Sequence, residues 1–439
     1  MSHKSNSNKI GFWSVFALVT GSQIGSGVFT LPALLAPYGA FSLVGWLIAG
    51  VGAVALALVF GGLCGQFPCT GGPHVYVHQA FGPNAAFFTG WTYWIISWVS
   101  TTAVIVASVG YLSPLLGDQS AEVYLLLEIT LLLAITGLNL KGVKTAGHAE
   151  FFLTLLKFVP LLVIPILALV YFNPNNFVMT PATMALSTPQ LLSQVTLLTL
   201  WGFIGVESAT APAGCVENPC QTIPRAIIFG TLCVAVLYMI NSIGIMGLIP
   251  GAELAQSKAP YVDAAQRVFG GSWHLVVSVM ASVVCIGTLN AWMLASGQVA
   301  LGLAEDKFLP RFFAKKNVHE APYFGLLTSC AGIIPLLILT SSDSLSHQIT
   351  AIIDFSVIAF LFVYLLCGLA YAKVLRKQGC RSVCRWLYTC VAIGFCLWVL
   401  YEIPLKTLAI SSLFVISGVP AYTLWYKKLS LKNKSRRKS

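Results

Sequence analysis

Two glycine-rich runs interrupt apolar segments that carry almost no charge, and they are the parts of this sequence best suited to binding a small polar molecule. The runs are GSQIGSGVF at residues 21–29 and WGFIGVESA at residues 201–209. A helix broken inside a membrane leaves backbone N–H and C=O groups that need polar partners. Either run alone is compatible with a close contact between helices. Paired interruptions in corresponding spans, however, are the best sequence indicator of a transporter's substrate site.

The backbone groups at the two runs predict a site for the head group of an α-amino acid. The amides of Ser26 and Gly27 would begin a half-helix and bind a carboxylate, helped by the positive end of the helix dipole. Carbonyl oxygens around Ile24 and from Gly202 to Ile204 would accept hydrogen bonds from an α-ammonium group. A zwitterionic ligand would thus provide partners for both kinds of exposed backbone group.

Two ionisable residues lie in apolar spans near these runs, where a charge costs on the order of 2.5 kcal/mol or more. We interpret Glu207 as an acid whose protonation responds to pH or to substrate, the alternative being a structural acid bonded to a neighbouring helix. Lys157, in LLKFVPLL, either extends toward the membrane surface or lies against the carbonyls of the first break. In the second position it would replace a coupling cation and carry a proton.

Aromatic residues provide a third element of the predicted site. Tyr93, Trp94 and Trp98 lie in the third span, Trp201 begins the second glycine run, and Trp292 lies in the eighth span. Trp and Tyr often form interfacial belts in membrane proteins. Trp201 and Trp292, however, are not at predicted interfaces. A desolvated cation over an aromatic face gains about 2 kcal/mol or more. They therefore predict recognition of a cationic side chain.

No metal ion or other cofactor is predicted. His74 and His78 are four residues apart in GGPHVYVHQAFGP, which could place two ligands on one helix face, but we favour a solvent-exposed loop helix. The 12 cysteines lack the two-residue spacing of zinc sites. None of them falls in a predicted outer loop, so a disulfide framework is not predicted either.

The composition identifies the elements that position these residues. The chain has 439 residues, 57% hydrophobic and 9% charged, whereas soluble domains carry about 25% charge. Its continuous apolar stretches reach the roughly 20 residues of a spanning helix and do not alternate as barrel strands do. The sequence predicts an all-α polytopic membrane protein with about 12 transmembrane helices. They are predicted at 11–36, 40–66, 83–113, 121–142, 148–172, 190–212, 224–249, 272–304, 323–340, 346–374, 384–402 and 405–427.

The glycine runs fall in the first and sixth spans, which predicts a 5+5 inverted repeat with discontinuous helices 1 and 6. The third and eighth spans are both long, and each follows a Phe-Gly pair, Phe81-Gly82 and Phe269-Gly270. The predicted organisation is a cytoplasmic N-terminus at 1–10, a first repeat at 11–172, a second repeat at 190–374, two further spans at 384–427 and a basic cytoplasmic tail at 428–439.

The basic residues predict the orientation. Lys and Arg are concentrated in alternate loops and in the tail KKLSLKNKSRRKS, which indicates that those loops face the cytoplasm. Only Lys258, Arg267 and Lys406 fall on the other side under the 12-span arrangement. We therefore predict a multi-pass protein of the cell inner membrane with both termini cytoplasmic. Orientation and contact of the tail with the lipid bilayer explain the net charge of +11, so no nucleic-acid partner is predicted.

Several longer strings carry a family resemblance. GSGVFTLPA, CTGGPHVYVHQAFGP, WGFIGVESA and SVIAFLFVYL resemble the amino acid, polyamine and organocation transporter superfamily over nearly the whole chain. Within it, TYWIISW, LWGFIGVESA, IMGLIP and AWMLASGQ are most similar to bacterial arginine/agmatine antiporters. The resemblance implies a homodimeric transporter, not an enzyme, that exchanges extracellular L-arginine for intracellular agmatine and depends on an arginine decarboxylase. Each exchange would export a virtual proton, as in acid resistance.

The resemblance also implies roles for individual residues. Tyr93 would gate the cytoplasmic side, Trp201 would stack on the substrate and close the outer side, and Trp292 would contact the guanidinium end as a more distal outer gate. Ser356 matches a serine of the substrate pocket. The complete set of predicted substrate-binding residues is Gln23, Ile24, Ser26, Gly27, Ile96, Ser97, Thr101, Trp201, Ile204, Trp292 and Ser356.

The same comparison assigns pH sensing or proton coupling to Glu207 and Lys157, of which Lys157 is similar to the lysine of proton-coupled members. Ser22 and Thr101 stand where the arginine/agmatine antiporters have Asn, and His74 replaces a Tyr. Because of these three differences, the sequence is also compatible with other substrates. The alternatives are lysine/cadaverine exchange, ornithine/putrescine exchange and proton-coupled amino acid uptake. A membrane-embedded enzyme is not favoured, because no nucleophile with a His or a second acid lies at membrane depth.

Overall fold

The computed structural model describes residues 9–117, 119–257, 259–341 and 345–426, with side chains throughout except at 340, 345–354, 356, 357, 425 and 426. The predicted N-terminal segment is covered only from Lys9, and the predicted tail at 428–439 lies outside the described residues. The described ranges form 19 α-helices with short 3-10 turns between some of them, and their only β structure is two isolated bridges.

The helices of the first half are α1 (Phe12–Gln23), α2 (Ser26–Leu35), α3 (Phe41–Gln66), α4 (Pro73–Phe81), α5 (Pro83–Gly110), α6 (Ser113–Leu116), α7 (Ala121–Asn139), α8 (Val143–Ala168) and α9 (Pro181–Met184). The remaining helices are α10 (Thr188–Leu200), α11 (Pro219–Leu248), α12 (Gly251–Leu254), α13 (Pro260–Phe269), α14 (Trp273–Glu305), α15 (Tyr323–Thr340), α16 (Leu345–Lys377), α17 (Val383–Glu402), α18 (Leu405–Ile416) and α19 (Gly418–Ala421). Prolines at the first position begin several of them, because that position needs no N–H donor.

The predicted all-α polytopic membrane fold is confirmed. Within the described residues, 11 helical segments are long and apolar enough to cross a bilayer, and the shorter apolar helix Tyr323–Leu339 occupies the place of the ninth predicted span. Helix 1 is interrupted between α1 and α2, and helix 6 is interrupted after α10. Both predicted discontinuities are therefore present.

The order of elements is similar in the two predicted halves. The short helix α4 ends at Gly82 before the long helix α5, and α13 ends at Gly270 before the long helix α14. Both glycines have positive φ, 84° and 67°, a conformation that only glycine adopts without strain. The repeat boundaries at 11–172 and 190–374 stay a prediction.

The centre of the bundle surrounds α1. Residues 17–23 of this helix are all buried, and α1 packs against α8, α11 and α14. Helix α8 lies at the edge of the bundle and has one polar and one apolar face. Its inner face places Glu150, Thr154 and Lys157 against the centre, whereas Leu155 and Val159 are exposed on the opposite face, which we assign to lipid.

The prediction of a solvent-exposed loop helix is wrong for His74. The side chain of this residue is fully buried, and its Nε2 lies 3.0 Å from Asp306 Oδ2 at the end of α14. The reason is that α4 packs against α5 and α16, so one face of the short helix belongs to the core. His78, one turn later, is only partly buried.

Candidate functional site

The first break leaves two residues, Ile24 and Gly25, outside helical geometry between α1 and α2. Thr288 of α14 contacts the open carbonyl groups: its Oγ1 lies 2.7 Å from Ile24 O and 3.0 Å from Gly21 O. A hydroxyl group has one proton, so it donates to one of these carbonyls at a time. The phenol of Tyr238 donates to the next carbonyl, Gln23 O, at 2.6 Å.

The second break is longer than the first. Helix α10 ends at Leu200, and the chain continues through 3-10 turns at Trp201–Phe203 and Ser208–Thr210. Gly205 between these turns has a φ of 105°, which L-residues with a side chain rarely adopt. Its N–H donates to the phenol oxygen of Tyr364 at 3.2 Å.

Ser22 joins the two breaks. Its Oγ lies 3.1 Å from Gly205 O and 2.8 Å from Ser208 Oγ, while its carbonyl oxygen accepts a hydrogen bond from Trp292 Nε1 at 3.3 Å. The approach is close enough that a Cβ on Gly205 would lie 2.7 Å from Ser22 Oγ. The short hydroxyl therefore connects the end of α1 to the unwound segment of the second break.

A small cavity of about 20 Å³ lies between the breaks, so the space between the two broken helices is nearly closed in this conformation. It is lined by Ser22, Gln23, Gly25, Ser26, Ser100, Val104, Trp201, Ile204, Thr288 and Trp292. Ser26 Oγ and Gln23 Oε1 are buried and have no hydrogen-bond partner among the described atoms. Buried polar atoms are normally paired, so these two are available to a polar ligand.

Five of the predicted binding residues line this cavity, namely Gln23, Ser26, Trp201, Ile204 and Trp292. Two more border it. Ile24 presents the carbonyl that Thr288 contacts, and Gly27 lies directly under the indole of Trp201, since a Cβ on Gly27 would be 2.4 Å from Trp201 Cδ1. The aromatic ring thus closes the space over the first turn of α2.

The predicted residues of α5 are buried but do not line the cavity. Ser97 Oγ donates to Trp94 O at 2.7 Å, and Thr101 Oγ1 donates to Trp98 O at 2.6 Å, so both hydroxyls bond within their own helix. Ile96 is buried as well. Helix α5 instead contributes Ser100 and Val104, one turn apart. Ser356 lies outside the described side chains.

Glu207 is fully buried and forms a hydrogen bond with a residue that the sequence analysis did not assign. Tyr364 OH donates to Glu207 Oε2 at 2.5 Å, whereas Glu207 Oε1 has no partner among the described atoms. No Lys or Arg of the described residues forms an ion pair with it. Tyr364 belongs to the string SVIAFLFVYL and lies two helical turns after Ser356. This spacing could have identified Tyr364 as a residue near the site.

The aromatic residues form a group beside Glu207. The rings of Tyr93 and Trp292 both contact Phe360, with centroids 5.9 Å and 5.3 Å away, and Phe360 in turn contacts Tyr364. The phenol of Tyr93 is buried without a hydrogen-bond partner among the described atoms. The predicted cytoplasmic gate and the predicted distal outer gate are therefore linked through one phenylalanine.

Lys157 lies against the first break, as one of the two interpretations anticipated. Its Nζ donates to Gly21 O at 2.7 Å, lies 3.1 Å from Thr288 Oγ1 and forms an ion pair with Glu150 Oε1 at 3.4 Å. Asn290 Nδ2 donates to the other oxygen of Glu150 at 2.9 Å. All four side chains are buried.

The sequence analysis missed Glu150 because it began the fifth span at residue 148. Helix α8 in fact begins at Val143, so Glu150 lies two turns inside the helix. Its spacing of seven residues from Lys157 places both on one face and was the signal that could have identified it. Among the described residues, no cluster of three or more His, Cys, Asp or Glu is arranged to bind a metal ion.

The arrangement combines groups for opposite charges around one small space. Free amides and the Ser26 hydroxyl at the start of α2 suit a carboxylate. Trp201 and Trp292 suit a cationic end. Glu207 does not line the cavity, but its open oxygen lies next to the aromatic group that reaches Trp292 and can accept a hydrogen bond. These contacts are of the kind that bind a small ligand with groups of opposite charge.

Residues 10–426 of this chain match the amino acid permease family. The putrescine transporter PotE of Haemophilus influenzae is 33% identical over 378 residues, which cover 85% of this chain and 86% of that protein. The putrescine transporter PotE of Escherichia coli K12 is 28% identical over 436 residues, or 98% and 99% of the two chains. The cadaverine/lysine antiporter of Escherichia coli K12 is 29% identical over 338 residues, 76% of each chain. The matched region includes both breaks.

Proposed function

The chain belongs to the amino acid permease family, in the basic amino acid/polyamine antiporter group of its superfamily, and from this premise we propose that it exchanges putrescine for ornithine. Members of this group are multi-pass membrane transporters and not enzymes. The relatives named above are named for putrescine and for cadaverine and lysine, which favours a diamine over agmatine. Arginine/agmatine exchange becomes the competing hypothesis.

The single observation that carries the proposal is the cavity between two broken helices, where Ser26 Oγ is unpaired and the rings of Trp201 and Trp292 form part of the lining. Ornithine would place its carboxylate on the amides of Ser26 and Gly27 and its side-chain ammonium near Trp292. Putrescine has no carboxylate, so both of its ends are cations. We assign its additional ammonium to Glu207, whose Oε1 is unpaired.

Alternating access requires that the two sides of the cavity open in turn. We assign the outer closure to Trp201, which covers Gly27, and the cytoplasmic closure to Tyr93. Ser22 joins the end of α1 to the unwound segment of the second break, so a movement of either segment is transmitted to the other. The homodimer and the cytoplasmic location of both termini stay predictions from the family resemblance and the charge pattern.

The proposed exchange moves net charge. Putrescine carries two positive charges and ornithine carries one, so each turnover exports one positive charge when putrescine leaves. A membrane potential contributes about 2.3 kcal/mol per charge per 100 mV and would set the direction of net exchange. An amino acid decarboxylase in the same cell would regenerate the diamine and consume a proton.

Exchange between defined compartments tests this proposal. Proteoliposomes loaded with putrescine should take up labelled ornithine rapidly, and empty vesicles should take up almost none. A potassium diffusion potential that is negative inside should slow this uptake, because net positive charge leaves during it. Parallel vesicles loaded with cadaverine or agmatine, and supplied with lysine or arginine, decide among the three substrate pairs. Equal uptake of ornithine into empty vesicles would reject exchange.

A further inference from the structure

A second cleft lies outside the substrate site, on the face of the bundle that the basic residues predict to be cytoplasmic. Its volume is about 430 Å³. Four segments enclose it: the chain before α1, the turn between α7 and α8, the 3-10 turn after the second break, and the loop before α15. Nothing in the proposed exchange uses this cleft.

The lining of the cleft is strongly basic. Lys9, Lys141, Lys144 and Lys316 all line it, although they come from three separate parts of the chain. The one acid of the lining is Glu320, whose carboxylate lies 3.9 Å from Lys316 Nζ. The lining therefore contains more lysines than carboxylates.

Other lining groups add no negative charge. Burial is the main cause that raises the pKa of the Cys215 thiol, so this side chain stays neutral. The backbone of Gly142, Val143, Lys144 and Thr145 forms the beginning of α8 at the cleft wall. The positive end of the helix dipole adds to the charge of the lysines.

Hydrogen bonds between segments hold the walls of the cleft in position. Ile10 N donates to Cys215 O at 2.9 Å, and Glu217 N donates to Ile10 O at 3.0 Å. Asn317 Nδ2 donates to Leu140 O at 2.7 Å and ties the loop before α15 to the end of α7. These contacts fix the backbone positions from which the four lysines extend.

We propose that this cleft binds a phosphate-bearing anion. A phosphate group has several acceptor oxygens and can bind several lysines at once, as basic pockets near membrane surfaces do with lipid headgroups. Val318 at the rim is 93% exposed, which places an apolar side chain beside the charged cleft. A charged cleft beside an apolar side chain matches the boundary between a lipid headgroup and its acyl chains. We therefore favour an anionic phospholipid as the source of the phosphate group.

Occupancy of the cleft would affect the transport cycle. Lys9 lies just before α1, and Gly214 follows the second break, so the anion would join the cytoplasmic end of one broken helix to the segment that follows the other. Opening of the cytoplasmic side requires these segments to separate. The bound anion therefore stabilises the arrangement in which they are together.

The test measures thermal unfolding of the purified full-length protein in a neutral detergent. Phosphatidylglycerol, phosphatidylcholine and inorganic phosphate are added in parallel series to the parent protein and to the Lys9→Gln/Lys141→Gln variant. A matched control, Arg376→Gln/Lys377→Gln, removes two exposed charges outside the cleft. Lys9→Arg/Lys141→Arg keeps the charge and controls for damage to folding. Putrescine exchange in phosphatidylcholine vesicles is measured separately for every variant.

We expect phosphatidylglycerol, and not phosphatidylcholine, to raise the melting temperature of the parent. The Gln pair should bind it roughly 25-fold more weakly, about fivefold per lysine, while the Arg pair and the control pair bind it as the parent does. If inorganic phosphate raises the melting temperature as much as phosphatidylglycerol does, the anion site is supported and its ligand is a soluble phosphate. Equal loss in the control pair, or unchanged affinity in the Gln pair, would overturn the proposal. Because exchange in neutral lipid is scored independently, failure of this site does not alter the proposed function.

Discussion

Lys157 donates a hydrogen bond from Nζ to the backbone oxygen of Gly21 at 2.7 Å, which places an ammonium group against the carboxyl end of α1. The open carbonyl end of a helix carries partial negative charge and favours a cation. Glu150 balances the same ammonium group at 3.4 Å. The break in helix 1 is thus supported by a charge from another helix, and this support has measurable consequences.

Variants of Lys157 and Glu150 should show that thermal stability and transport depend on different contacts of Lys157. Lys157→Met leaves Glu150 buried without its counter-charge, which typically costs about 3–5 kcal/mol. The double variant Glu150→Gln/Lys157→Met removes both charges and should recover most of the lost melting temperature. Neither variant keeps the contact with Gly21 O, so both should transport poorly. Melting curves and vesicle exchange measure the two effects, and Lys406→Met, at an exposed position, is the control.

If the double variant melts no higher than Lys157→Met, the ion pair does not account for the stability of the break. If it exchanges substrate as fast as the parent, the contact with Gly21 does not support the site.

Gly27→Ala should close the binding space while it preserves the fold. The new Cβ would lie 2.4 Å from Trp201 Cδ1, so the indole must move from its position over α2. Overpacking of this kind costs about 1–3 kcal/mol, which corresponds to roughly 5- to 150-fold weaker binding of ornithine. Calorimetric titration measures the affinity. Gly137→Ala, where a Cβ meets no atom within 4 Å, should bind normally, and parent-like affinity in Gly27→Ala would contradict the proposed closure.

Glu207→Gln should weaken putrescine binding more than ornithine binding. The amide preserves the shape of the side chain and an acceptor for Tyr364, but it removes the negative charge that we assign to the additional ammonium group of the diamine. A hydrogen bond to a charged group contributes about 1.5–3 kcal/mol, so a loss of roughly 10- to 100-fold is expected. Competition binding at one pH measures it. Glu128→Gln, a buried acid on α7, is the control, and equal losses for both ligands would refute the assignment.

Trp292→Leu should reduce affinity for cationic ligands without unfolding the protein. A desolvated cation over an indole gains about 2 kcal/mol, so the binding constant should fall roughly 30-fold. Trp273→Leu changes another tryptophan of α14 that is 56% exposed, and it should have little effect. Titration with ornithine and putrescine tests both variants. Unchanged affinity in Trp292→Leu would show that the aromatic ring does not contact the cation.

The sequence by itself determined the class of fold and predicted the two breaks in helices 1 and 6. Apolar segments of bilayer length permit only helices that satisfy their own backbone, and glycines at 21–27 and 202–205 interrupt two of them at the same depth. Resemblance over the whole chain then identified the transporter group. These features depend on local composition and spacing, which a linear sequence displays directly.

Only the tertiary structure decided which polar groups meet. Glu150 and Lys157 lie on one face of α8, but their partners Gly21, Thr288 and Asn290 come from α1 and α14, more than 130 residues away along the chain. The same holds for Ser22, whose hydroxyl bonds to Gly205 and Ser208 of the second break, more than 180 residues away along the chain. In a membrane interior no water competes for buried donors and acceptors, so a buried polar group bonds to the helix that packs against it, and that neighbour is set by packing and not by spacing.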